Sequence, residues 1–228
     1  MKTSFKNSFV HCIDKLDIMK KLLTVLFLSF CYFSNAQTKL YVSPDAEDYV
    51  AKTKIIAILP LKVEIKMRPK QLKDFTSEQI TDMEKDEAYN IQKSMYSWFL
   101  NKKKKGKLLV NVQSPKKTNK LLKDAGVDPN SSYEELASEL SLILGVEAIV
   151  TGTFETNKPM SNAAAIGLAI LGVGGATQNV TLNLDIIHKD DETVVNYLKN
   201  VKGGLGSSTD DLINILMRKA TRRIPYTD

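Results

Sequence analysis

Lys54-Ile55-Ile56-Ala57-Ile58-Leu59-Pro60-Leu61 is the stretch on which the fold turns, because it carries no charge from Ile55 to Leu61. A strand with one wet face alternates apolar and polar residues, whereas a continuous apolar run marks a strand buried on both faces. Burial on both faces requires a layer of helices above and below the sheet, which is the α/β arrangement. Val63 and Ile65 then alternate with charged residues, as expected where the strand runs on with one face in water. Pro60 has no amide to donate and marks a point without a partner on that side.

Thr76-Ser77-Glu78-Gln79 next has the spacing of a capping box. Ile80, Met83, Ala88, Ile91, Met95 and Trp98 follow it close to a helical stripe. Lys102, Lys103, Lys104 and Lys105 place cations at the negative end of that helix, and Gly106 lets the chain turn. The lysine run is read as a solvated helix end in preference to an anionic-surface site. Residues 107–112 form a second strand, and Thr118 is read as the cap of a short helix ending at Gly126. Another helix starts at Ser131-Ser132 with Glu134 and Glu135 as capping partners. Its inward residues are Leu136, Leu140, Ile143 and Leu144, and Gly145 stops it.

A third strand covers 146–154, and the composition then shifts. Residues 161–177 read SNAAAIGLAILGVGGAT, small and apolar without a charge. Two alternating strands follow, 180–187 and 193–201, joined at Asp190-Asp191-Glu192 as a hairpin. After a Gly/Ser loop, Thr209 caps a last helix whose inward residues are Leu212, Ile213, Leu216 and Ala220, with Pro225 beyond it. The expected order is β-α-β-α-α-β, an insertion, then β-β-α. This is a single three-layer α/β domain over 54–228 with a mixed sheet.

The amino-terminal side reads as an export signal. Met19-Lys20-Lys21 precedes an apolar stretch to Phe33 and then Ser34-Asn35-Ala36-Gln37, which fits cleavage after Ala36. Asp14 and Asp17 sit badly in a basic leader, so Met19 is taken as the start and 1–36 as the removed segment. Residues 37–53 are an extended lead. The Ala36-Gln37 junction resembles that of exported proteins of Bacteroidota, so the expected location is the periplasm or outer membrane of such a bacterium. Phe30 before Cys31 disfavours lipidation. The whole chain has 32 Lys and Arg against 26 Asp and Glu, a net charge of +6. The leader takes Lys2, Lys6, Lys15, Lys20 and Lys21 but only two acids, so processing halves the net charge to +3. That weakens any nucleic-acid reading. Cys12 and Cys31 leave with the leader, so the processed chain has no disulfide.

Leu144-Gly145-Val146-Glu147-Ala148-Ile149-Val150-Thr151-Gly152-Thr153-Phe154, a helix ending in Leu-Gly-Val and a strand ending near Thr-Gly, resembles the fold shared by the TolB amino-terminal domain and the curli secretion-channel subunit CsgG. It also resembles small envelope lipoproteins that activate penicillin-binding proteins. The opening strand at Ile55 fits the same pattern. The resemblance covers most of 54–223 by element order, and it implies the fold more than a task. The chain departs from it in lacking a convincing lipidation cysteine and a following propeller.

Side-chain chemistry is sparse. His188 is the single histidine of the processed chain and is read as a strand-end surface residue. A Cys–His dyad or Cys/His zinc site is therefore excluded within one processed chain. Asp82, Glu84, Asp86 and Glu87 are placed mostly on the wet face of their helix. Asp190-Asp191-Glu192 lacks calcium-loop spacing. Gly172-Val173-Gly174-Gly175 lacks the Lys-Ser/Thr of a phosphate loop, and the glycines at 203–206 read as a flexible connector. The expectation is a non-catalytic envelope protein without cofactor or metal. It works through an envelope partner or self-association as an accessory or assembly factor, the alternative being a CsgG-like outer-membrane channel subunit. Ala163, Ile166, Gly167, Leu168, Ile170, Leu171, Gly172 and Val173 form the candidate interaction segment. Packing on the domain, contact with a partner or copy, and membrane insertion all stay open for it, and peripheral contact with the outer membrane is a further expected partner.

Overall fold

The computed structural model describes residues 38–73, 75–157, 179–203, 209–220 and 222–227. Strand β1 is Thr38–Val42, helix α1 Ala46–Lys52, β2 Ile55–Ile58 and β3 Lys62–Ile65. The long helix α2 is Ser77–Lys104, β4 Asn111–Val112, α3 Pro115–Asp124 and α4 Ala137–Leu144. The hairpin strands follow β5, Ala148–Thr156, as β6, Asn179–His188, and β7, Thr193–Lys202, and α5 is Thr209–Ala220. One mixed sheet joins the strands in the order β1-β7-β6-β5-β2-β4, with β3 also paired to β5. β2 and β3 run parallel to β5, and β4 runs parallel to β2. The β5, β6, β7 and β1 ladders are antiparallel.

The apolar run at 55–61 does serve two cores. Ile56 and Ile58 face the larger one with Ile91, Met95 and Phe99 of α2 and Leu212 and Leu216 of α5. Ala57 and Leu59 face the other with Leu122 of α3 and Leu140 and Leu144 of α4. Each fully buried aliphatic or aromatic side chain contributes about 1.5–3 kcal/mol, so these two layers hold the sheet, and the described residues contain no cysteine. The run is broken, however, into β2 and β3. The Leu59 amide still reaches the Val150 carbonyl at 2.9 Å, but Pro60 has nothing to donate and the chain steps along β5 before pairing again at Thr153.

Local chemistry explains most element ends. Thr76 and Gln79 form the expected capping box on α2, and Gly145 ends α4 in the left-handed region at φ 65°. Ser114, not Thr118, caps α3, with its hydroxyl accepting from the Lys117 amide and Pro115 opening the helix. Thr118 is buried instead and donates to Gln113, whose amide nitrogen holds the Leu144 carbonyl at 2.8 Å. The stretch after Ser131 makes only a 3-10 turn, Ser132–Glu134, before α4 begins. Leu136 stands at its N-cap position and is exposed, not inward. Within the lead, β1 pairs with β7 and α1 packs behind it.

Because Leu136 has no oxygen with which to cap α4, the β6–β7 turn supplies one. Asp191, at φ 66°, accepts from the Ser138 amide at 2.8 Å. Bonds from Ser138, first by its side chain and then by its amide, hold the Asp191 carboxyl below its ordinary value. Its folded value lies below its unfolded one, so the bond contributes fully at neutral pH and is lost as pH falls through the folded value, below about 4. Asp191→Ala is expected to lower the melting temperature at pH 7 and to close the gap to wild type in acid. A gap of equal size at both pH values would show that the cap has no role.

Candidate functional site

No group of three or more His, Cys, Asp or Glu is placed to hold a metal among the described residues. His188 is not a surface residue: it is 4% exposed. Its ring lies 4.9 Å from that of Tyr49 on α1, its Nδ1 meets Asp190 at 2.8 Å, and its Nε2 is buried without a partner. The difference arises because the lead folds into α1 and covers the strand end. Burial alone would raise the Asp190 carboxyl, but its bonds to His188 and to turn amides outweigh that and hold it low. Glu87 likewise departs from its expected wet face and is 1% exposed. Glu84 accepts from the Ile65 amide at 3.0 Å and ties α2 to β3. The candidate segment Ala163 to Val173 and the loop residues 204–208 lie outside the described residues.

What the fold does assemble is a cationic cleft of about 910 Å³ between the carboxyl end of α2 and the outward face of α5. Lys102, Lys105 and Lys107 line it from one side, Arg218 and Arg222 from the other, with Asp211 the one acid among the described residues. Trp98 forms part of its wall, with the Lys102 ammonium 5.1 Å from the ring centroid. Burial first, then the charges of Lys107, Lys105 and Arg222, push the Lys102 pKa down. The lysine run thus divides: Lys102 and Lys105 enter the cleft, while Lys103 turns away to Asn111 at 2.6 Å. The sequence signal was i,i+4 spacing, Trp98 to Lys102 and Arg218 to Arg222, but nothing in it tells that the two helices meet.

A second surface is the sheet edge. β1 ends the strand order, and Leu40, Tyr41 and Val42 on it are 39%, 50% and 37% exposed. Among the described residues, nothing pairs with its outer side, and no helix is long and apolar enough to cross a membrane.

The fold and its surfaces define a mixed α/β domain with helices on both faces of the sheet, an open edge strand and a cationic cleft. No protein-family model and no curated protein matches the chain. Among solved structures it is similar to the PelC dodecamer from Paraburkholderia phytofirmans, at 10% identity over 81% of this chain and 93% of that one, TM-score 0.41. It is also similar to lipoprotein GNA1162 from Neisseria meningitidis, at 11% identity over 75% of this chain and 97% of that one, TM-score 0.43. The LpoB C-terminal domain from Salmonella enterica is similar at 8% identity over 70% of this chain and 95% of that one, TM-score 0.31. None of these three is TolB or CsgG. Likenesses this distant leave the functional reading to the chain's own surfaces.

Proposed function

We propose that the chain is a non-catalytic, exported cell-envelope protein that acts by binding another protein or by assembling with itself. The observation that supports this is β1. It is an edge strand with an open backbone side and three consecutive large apolar residues exposed, and such an edge is a template for an added strand. Cleavage after Ala36 would leave only Gln37 ahead of this strand in the processed chain.

Tyr41→Lys puts a charge on the edge, a device that natural edge strands use against pairing. The variant is expected to keep the melting temperature, since Tyr41 is half exposed, and to lose association. Sedimentation velocity of the processed chain, with and without envelope extract, reads this out. Wild-type protein that stays monomeric and gains no mass from the extract would overturn the proposal, as would a Tyr41→Lys protein that associates like wild type.

A further inference from the structure

We propose that the cleft between α2 and α5 is a binding site for a ligand carrying several phosphate groups. Five cations converge there, and the simplest account of them is compensation of the helix ends. That account is too small. Each helix carboxyl end carries about half a negative charge, so α2 and α5 together offset about one cation, and Asp211 offsets another. About three positive charges remain around Lys102, whose pKa is lowered first by burial and then by repulsion from Lys107, Lys105 and Arg222. A multiply charged anion relieves that repulsion.

Arg218, in the last turn of α5, and Arg222, beyond its end, present planar forks suited to phosphate oxygens. Lys102, Lys105 and Lys107 face them as point charges. A volume of about 910 Å³ is at the upper end of small-ligand sites and far exceeds what one phosphate fills. Trp98 and Ile215 add an apolar strip to the lining, against which the carbon scaffold bearing the phosphates can rest. A soluble polyphosphate ester and a lipid headgroup bearing more than one phosphate, as in cardiolipin, present the same chemistry.

The test uses the processed chain and two probes. Sodium tripolyphosphate is followed by titration calorimetry, and cardiolipin/phosphatidylcholine vesicles are followed by flotation against pure phosphatidylcholine. Arg218→Gln/Arg222→Gln removes two charges from the cleft, whereas Lys116→Gln/Lys117→Gln removes two exposed charges from α3. The arginine pair is expected to weaken tripolyphosphate binding by about tenfold or more, and the lysine pair by much less. Lys105→Gln/Lys107→Gln, on the opposite wall, is expected to follow the arginine pair. Tripolyphosphate binding without flotation assigns a soluble ligand. Flotation with cardiolipin that tripolyphosphate competes away assigns a headgroup. Equal weakening by the cleft and α3 pairs, or binding of neither probe, overturns the site.

Discussion

Gly152→Ala is expected to remove about 4 kcal/mol of stability, the sum of a backbone strain and an overpacking cost of about 2 kcal/mol each. Gly152 sits on β5 at φ 141°, a conformation that residues with a side chain rarely adopt. A Cβ built there would lie 2.0 Å from the Asn183 carbonyl oxygen and 3.1 Å from the Leu184 Cα, both backbone atoms of β6. Neither can move without opening the β5–β6 ladder, which runs from Ala148 to Thr156. Domains are stable by only about 5–15 kcal/mol, so the variant should be largely unfolded at modest urea. Urea denaturation of the processed chain measures it, and a loss under about 1 kcal/mol would contradict the close approach of these strands.

The second large effect lies at the other end of the chain. Tyr226 is wholly buried in the larger core although only Thr227 and Asp228 follow it. Its carbonyl accepts from the Leu109 amide at 3.0 Å, and Thr227 bridges to Leu108. This anchoring also explains why β4 is only two residues long: the stretch before it pairs with the carboxyl-terminal segment and not with β2. Tyr226→Ala is expected to cost about 3–5 kcal/mol, the range for emptying a large aromatic site. Tyr226→Phe should cost about 1 kcal/mol or less, because the contact of the hydroxyl with Thr53 is long, at 3.5 Å. The alanine variant should also lose protection of the Leu109 amide in hydrogen exchange and bind tripolyphosphate more weakly, since Thr227 lines the cleft. The phenylalanine variant should do neither. Equal midpoints for Tyr226→Ala and wild type would show that the segment is not a structural anchor.

Much of this architecture was legible from local pattern. The capping box at Thr76, the left-handed stop at Gly145, the hairpin at Asp190 to Glu192 and the inward face of α5 all rest on interactions within a few residues. Short-range sterics and hydrogen bonds determine them wherever the chain sits. The readings that changed concern residues whose surroundings come from distant parts of the chain. His188 was placed in water by its charged neighbours, but Tyr49, far earlier in the sequence, closes over it. Leu136 matched a helical stripe, but the helix starts one residue later and is capped by Asp191 from the hairpin.

The sequence by itself determined that this is an α/β domain with a mixed sheet, because apolar periodicity depends only on which faces are dry. It also places both cysteines, Cys12 and Cys31, ahead of the stretch that forms that domain. Only the tertiary structure decided what the charges do. In the sequence, Lys102 to Lys105 is a helix end and Arg218 to Arg222 is another. Charge interactions fall off with distance and are screened within about 10 Å. Two runs more than a hundred residues apart therefore act as one site only once the packing of α5 against α2 brings them to the same cleft.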